Sequence, residues 1–167
     1  MALIGGWIYL EQVMAIIVCQ LNDIHFNASN NSVLARTGNI AEVAIAESAP
    51  DDTIILLLSG DIADHGYSDE FDEAFTWVTR LRDSILQKRP DLKILAVPGN
   101  HDCDLSGDQA LRDAAIGLIN SSTDPPANSI VHAAIQPQSA YFAFSETISA
   151  PNESLTAAEV DPETWTA

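Results

Sequence analysis

Residues 94–102 read Ile-Leu-Ala-Val-Pro-Gly-Asn-His-Asp, an apolar run followed at once by a polar turn. The first four residues are typical of a short buried strand, and the Pro-Gly pair ends it. Asn100, His101 and Asp102 then follow without a gap. In open α/β sheets, ligands bind beyond the carboxyl ends of the strands. A polar turn is the simpler explanation of one such stretch, so a site is indicated only if the layout is repeated.

The same layout follows two earlier apolar runs. Met14–Leu21 is a β-branched run that predicts the first strand, and Asn-Asp-Ile-His follows it at residues 22–25. Thr53–Leu58 predicts the second strand, and Ser-Gly-Asp-Ile-Ala-Asp-His-Gly follows it at residues 59–66. With Lys93–Val97 as the third strand, all three strands end in residue types that bind metals. Chance polar turns would rarely do this three times, so the pattern indicates a site.

Helical segments separate the predicted strands. Ser68–Lys88 has the strongest helical pattern, with Ser68 as its N-cap, an acidic first turn and an apolar stripe. Ser32–Ser48 is the second predicted helix and ends before a proline. The alternating order, with continuous apolar strands, predicts an α/β fold on a parallel sheet that is covered on both faces.

The chain beyond the third motif has weaker patterns. Asp108–Asn120 predicts a helix, Ser121–Ser129 a loop, and Tyr141–Phe144 a short strand. We divide the chain into an N-terminal extension at residues 1–13, a partial domain at 14–145, and residues 146–167 as an acidic tail or the start of a missing C-terminal half. At 167 residues, one domain with a real core is expected.

The composition excludes several functional classes. Seven basic and 24 acidic residues give a formal net charge of −17, so no basic patch for general nucleic-acid or anionic-membrane binding can be assembled. No apolar run approaches the length of a membrane span. Cys19 and Cys103 are too few for a disulfide framework, which favours a reduced, cytoplasmic protein.

The polar side chains offer a mixed set of metal ligands. Asp23 and His25 lie two residues apart, so a continued extended strand would direct both side chains to one face, where they could bind one cation. Asp61 has two oxygens that can bridge two cations, and Asn100 offers a neutral amide oxygen. Mixed oxygen and nitrogen ligands suit Mn²⁺, Fe or Zn²⁺ better than Ca²⁺.

Two adjacent cations can clamp a phosphoryl group and activate water near neutral pH. His101 stands beside a predicted ligand and could protonate or stabilise a leaving oxygen. Asp102 could orient that imidazole, as carboxylates often do. The residues therefore predict a catalytic pair of His101 and Asp102 beside a metal site.

The blocks Asp-Ile-His at 23–25, Gly-Asp-x-x-Asp-x-Gly at 60–66 and Gly-Asn-His-Asp at 99–102 resemble the calcineurin-like metallophosphoesterases. The resemblance implies a two-sheet sandwich, of which this chain would form the N-terminal half. It implies that Asp23 and His25 bind a first metal, that Asp61 bridges, and that Asn100 binds a second. It further implies hydrolysis of a phosphomonoester or phosphodiester by metal-activated water, on a small-molecule or nucleotide substrate.

The chain departs from this family in its later part. The family pattern continues with a lone histidine and a Gly-His-x-His block, both metal ligands, and neither occurs here. The only histidine after the third motif is His132, for which a packed or surface position is the simpler expectation. A C-terminal segment or partner domain would have to complete the site, so we expect weak metal binding and poor or absent turnover from these 167 residues alone. The alternative function is a non-catalytic interaction module; a nucleotide-binding doubly wound domain is disfavoured because no glycine-rich phosphate loop follows the first strand.

Overall fold

The computed structural model describes residues 14–27 and 31–149 of the chain. Within these ranges one parallel sheet has the order β1-β2-β3, formed by β1 Ile16–Leu21, β2 Thr53–Ser59 and β3 Leu92–Val97. The α/β class and the alternating βαβαβ order are confirmed. The predicted extension at residues 1–13 and most of the segment 146–167 lie outside the described residues, so these boundaries stay predictions.

Helices connect and follow the strands. They are α1 Thr37–Ala46, α2 Ser68–Leu86, α3 Gln109–Ser121, α4 Asn128–Ile135 and α5 Ser139–Ser149, with short 3-10 helices at Ser32–Arg36 and Gln136–Gln138. None of these helices is both long and apolar enough to cross a membrane. The predicted strand at Tyr141–Phe144 is wrong. Tyr141, Phe144 and Ile148 are buried at spacings of three and four residues, which is helical periodicity that extends past the four-residue window.

One face of the sheet carries the core. On β2, Ile54, Leu56 and Leu58 are fully buried against α1, α2 and α5, whereas Ile55 and Leu57 on the other face are only partly buried. Each connection between parallel strands is right-handed, and in the order β1-β2-β3 each new strand joins the sheet on the same side of the previous one. The connecting helices therefore lie on the same face of the sheet. Within the described residues, the prediction of a sheet covered on both faces is therefore wrong. The second sheet that the family resemblance implies is not formed by the described residues.

The core holds the first polar turn in place through Phe26. This side chain is fully buried and packs on Trp77 of α2 with ring centroids 5.5 Å apart. Its backbone N–H donates to Ile62 O at 2.7 Å, and Phe26 forms an isolated parallel bridge with Ala63. Because Phe26 directly follows His25, this packing ties the turn after β1 to the turn after β2.

Asp52 holds the other end of the sheet. Its carboxylate accepts hydrogen bonds from the backbone N–H groups of Ala15 at 2.8 Å and Ala49 at 2.7 Å. These two bonds lower the pKa of Asp52. The start of edge strand β1 is thereby joined to the turn that leads into β2.

Candidate metal centre

The three polar turns meet at the carboxyl edge of the sheet. Backbone N–H groups of Ile24 and His25 both donate to Asp61 O, at 2.9 and 3.0 Å. The backbone N–H of His101 donates to the Asp61 side chain, with Oδ1 at 3.0 Å. Since parallel strands all end at one edge, residues about 40 positions apart in the sequence become neighbours. Asp61 therefore contacts both of the other turns.

The backbone in these turns is unusual. Asp23, His25 and Asp61 have φ values of 52°, 52° and 51°, in the left-handed region that few non-glycine residues adopt. Such residues cost about 1–3 kcal/mol each and cluster at functional sites. The extended backbone considered for Asp23 and His25 is therefore not the one that the chain adopts. β1 ends at Leu21, and the left-handed turn, rather than strand alternation, positions these side chains.

Asp23, His25 and Asp61 form a group that we call the primary cluster. Each offers one ligand atom, and these three atoms lie within 4.8 Å of one another. The Nδ1 atom of His25 is buried and has no hydrogen-bond partner, although Asp64 Oδ1 lies 3.5 Å away. Two carboxylates and one imidazole are a mixed oxygen and nitrogen donor set of the kind that divalent metals bind. The residues of the primary cluster thus fit a divalent metal ion.

The third turn packs tightly on Asp61. A Cβ atom added at Gly99 would collide with the Asp61 backbone and carboxylate, so only glycine allows this approach. Asn100 lies between Gly99 and His101, both of which approach Asp61, and it is exposed. Its sequence position therefore brings it beside the primary cluster, and its role as ligand of a second metal stays a prediction.

Asp102 has a different environment from the one predicted. Its side chain is completely buried, and its two oxygens accept hydrogen bonds from the backbone N–H groups of Ala63 at 2.7 Å and Gly99 at 2.8 Å. In this structure its oxygens bond to these two backbone groups and His101 Nδ1 bonds to Asp64 O, so the orienting role predicted for Asp102 stays a prediction. A fully buried group cannot touch a substrate. Asp102 instead joins the second and third turns and so positions the site.

The backbone of Asp64 orients His101. The Nδ1 atom of His101 lies 2.7 Å from Asp64 O, and the ring itself is exposed. This hydrogen bond raises the pKa of His101; partial desolvation opposes the rise, and the negative charges of Asp61, Asp64 and Asp102 add to it. With Nδ1–H donating to a carbonyl, Nε2 is the nitrogen left to act on a ligand.

Glu70 is a positioning residue that the sequence analysis missed. Its carboxylate is buried and accepts from the backbone N–H groups of His65 at 2.9 Å and Tyr67 at 3.1 Å. The signal was an acidic residue three positions after the N-cap. The prediction of Ser68 as the N-cap is wrong: Tyr67 holds that position and Ser68 begins α2, which makes Glu70 the third residue after the cap.

His132 lies away from these turns. It is exposed on α4 and lines a cavity of about 330 Å³ with Asp104, Leu105 and residues of α3. It belongs to none of the ligand-type groups found within residues 14–27 and 31–149. The expectation of a surface position for His132 agrees with this placement.

Comparison with known proteins points in one direction. A family model described as calcineurin-like phosphoesterase matches residues 16–149, which include all three polar turns. No curated protein and no solved structure matches the chain.

Proposed function

Because the chain belongs to the calcineurin-like phosphoesterase family, we propose that it is a metal-dependent hydrolase of phosphomonoesters or phosphodiesters. Members of this family are generally phosphoesterase hydrolases and typically bind divalent metals. The observation that carries the proposal is the primary cluster, in which the ligand atoms of Asp23, His25 and Asp61 lie within 4.8 Å of one another.

The proposed metal ligands are Asp23, His25 and Asp61 for a first ion, and Asp61 with Asn100 for a second. Mixed oxygen and nitrogen donors favour Mn²⁺, Fe or Zn²⁺. When bound, such ions supply positive charge to the phosphoryl group and activate the attacking water. Because a second ion would have only two of these ligands, we expect it to be held weakly.

Charge gives an independent reason for the metal requirement. Asp23 is exposed, and Asp61 and Asp64 are partly exposed, so three carboxylates face the region that a substrate would enter. Without cations these groups would repel an anionic phosphate ester. Substrate binding is therefore expected to depend on metal binding, and not only the chemical step.

His101 has the proposed role of proton donor. Its Nδ1 is paired with the Asp64 backbone oxygen, so Nε2 can carry a proton towards the leaving oxygen. The raised pKa of His101 favours the protonated form that such a donor needs. Asp102 supports this role indirectly by holding the turn that carries His101.

The test compares the purified chain with an Asp61→Asn variant on p-nitrophenyl phosphate and bis-p-nitrophenyl phosphate in excess Mn²⁺. Asparagine tolerates the left-handed backbone that Asp61 adopts, so the fold should survive. We expect slow Mn²⁺-dependent turnover of at least one ester, reduced by at least about tenfold in the variant, since even outer-shell changes at metal sites have effects of this size.

An Asp113→Asn variant is the matched control. Asp113 is exposed on α3, pairs with Arg112 at 3.2 Å and belongs to none of the ligand-type groups among the described residues, so turnover of this variant should equal that of the wild type. Mn²⁺ binding by calorimetry without any measurable hydrolysis would favour the alternative of a non-catalytic interaction module. Hydrolysis that is equal in the Asp61 variant and the wild type would contradict the proposed site.

A further inference from the structure

Two exposed aromatic side chains lie stacked in the second polar turn. The rings of His65 and Tyr67 are nearly parallel, with an interplanar angle of 9° and centroids 5.5 Å apart, which is the geometry of an offset stack. The His65 side chain is 59% exposed, and Tyr67 is 42% exposed. We call this pair the aromatic platform. Neither ring belongs to the primary cluster, and the proposed proton transfer from His101 does not use them.

The buried carboxylate of Glu70 holds both members of the platform. Its Oε2 atom accepts hydrogen bonds from the backbone N–H of His65 at 2.9 Å and from that of Tyr67 at 3.1 Å. Its Oε1 atom lies 3.2 Å from His65 Nδ1. Because the rings are fixed before a ligand arrives, little conformational entropy is lost when one binds, which favours binding.

Gly66 fixes the platform against the third turn. Gly66 lies between the two ring-bearing residues and has a φ of 75°. A Cβ atom added there would collide with the backbone of Cys103 and Asp104, so only glycine allows this approach. Since the third turn also carries His101, the platform and the proposed proton donor are fixed relative to each other.

The platform lies close to the primary cluster. The Asp64 carboxylate approaches an imidazole of each, with Oδ1 at 3.5 Å from His25 Nδ1 and Oδ2 at 3.5 Å from His65 Nδ1. These distances and the width of one carboxylate place the two imidazole nitrogens at most about 9 Å apart. A phosphate ester bound at the primary cluster therefore brings a ring near its ester oxygen within reach of the platform.

We propose that the aromatic platform stacks on a planar ring of the substrate, so that the site prefers phosphate esters carrying an aryl group or a nucleobase near the ester oxygen. This inference rests on the proposed function, since the metal centre would hold the phosphate. One side of the His65 ring lies towards Tyr67 while much of the side chain stays exposed, so a third ring can join the stack. The carboxylates of Asp64 and Glu70 disfavour a further anionic group at this place.

The test measures binding rather than turnover. The Mn²⁺-loaded chain is titrated by calorimetry with two matched pairs of ligands, phenylphosphonate with methylphosphonate and adenosine 5′-monophosphate with ribose 5-phosphate. The phosphonates contain no ester to hydrolyse, and the second pair is measured while turnover is negligible. We expect the aromatic member of at least one pair to bind about 3–10-fold more tightly. The pair that shows this preference identifies the ring as an aryl group or a nucleobase.

Variants identify the platform as the source of the preference. His65→Ala should bring the affinity ratio of the pair close to one and leave methylphosphonate binding unchanged, whereas His65→Phe keeps a stacking ring and should retain the preference. Tyr67→Ala leaves the contacts between His65 and Glu70 in place and should also lower the ratio. Phe142→Ala is the matched control, because it removes an exposed aromatic side chain of α5, and it should change neither affinity. Thermal unfolding confirms that each variant is folded.

The inference is wrong if the wild type binds both members of each pair equally, and the proposed function would survive that result. It is equally wrong if folded His65→Ala and Tyr67→Ala variants keep the preference. Weaker binding of methylphosphonate in both His65 variants would also contradict it, because His65 would then contact the phosphate and not a ring. If none of the four ligands binds, the proposed function fails together with this inference.

Discussion

Replacing Asp102 should show how strongly one buried carboxylate holds the site together. In the Asp102→Ala variant, the backbone N–H groups of Ala63 and Gly99 lose their acceptors at 2.7 and 2.8 Å. Asp102 is completely buried, so little water would replace it. An unsatisfied buried donor costs about 1–3 kcal/mol; the Ala63 donor is buried and the Gly99 donor only partly, so we expect a loss of about 3 kcal/mol.

The expected change in melting temperature follows from chain size. For chains of about 150–250 residues, 1 kcal/mol lowers Tm by about 2–4 °C, which predicts a fall of about 6–12 °C for Asp102→Ala. Asp102→Asn keeps one acceptor oxygen but directs an amide N–H₂ at the other backbone donor. It should therefore also destabilise the chain, and Mn²⁺ affinity should fall in both variants because the second and third turns separate.

Thermal unfolding followed by circular dichroism, with EDTA present, measures the effect on the fold alone. Asp113→Asn is the control, since it removes an exposed carboxylate whose ion pair is worth about 1 kcal/mol or less. If Asp102→Ala melted within about 2 °C of the wild type, as expected for a surface pair, the two hydrogen bonds would not hold the turns and the reasoning would be refuted.

Two other predictions concern tight packing and charge. Gly99→Ala should destabilise the chain by about 1–3 kcal/mol and weaken Mn²⁺ binding, because the added Cβ would displace Asp61. Gly117→Ala is the control: nothing lies within 4 Å of its added Cβ, so it should stabilise α3. Equal Tm values for the two variants would contradict this reasoning. Asp52→Asn should lower Tm at pH 7, since the native state holds Asp52 as a carboxylate with a lowered pKa. The stability contributed by this carboxylate is present above the unfolded carboxyl pKa of about 3.9 and is lost as pH falls through the lower pKa of the folded state. The Tm difference between the wild type and Asp52→Asn should therefore shrink below about pH 4. A Tm difference that does not change with pH would exclude this linkage.

The sequence predicted the parts of the fold that depend on local pattern. The runs at Thr53–Leu58 and Lys93–Val97 are apolar over lengths typical of strands. The structure forms β2 and β3 there, and each strand is one residue longer at one end than the predicted run. The apolar stripe of residues 68–88 likewise predicted α2 to within two residues, although its N-cap is Tyr67 and not Ser68. Prediction failed at Tyr141–Phe144 because four apolar residues without their neighbours cannot distinguish a strand from a helix.

The candidate site divides in the same way. That Asp23, His25 and Asp61 would meet was predictable, because each follows a strand and parallel strands end at one edge. The backbone that brings them together was not, since the left-handed turns are stabilised by bonds such as His25 N–H to Asp61 O, 36 residues apart in sequence. The same limit applied to Asp102, whose partner Ala63 lies 39 residues away.

The sequence by itself therefore determined which segments are strands and helices and which ligand-type side chains follow each strand. Those properties depend on periodicity and on residues that are adjacent in the chain. Only the tertiary structure decided the strand order, and with it the placement of α1, α2 and α5 on one face of the sheet. It also decided that Asp102 joins two turns while the Asp64 backbone orients His101. The physical reason is that a buried carboxylate or imidazole bonds to whichever donors and acceptors the packed chain brings within about 3 Å, and sequence spacing does not specify those partners.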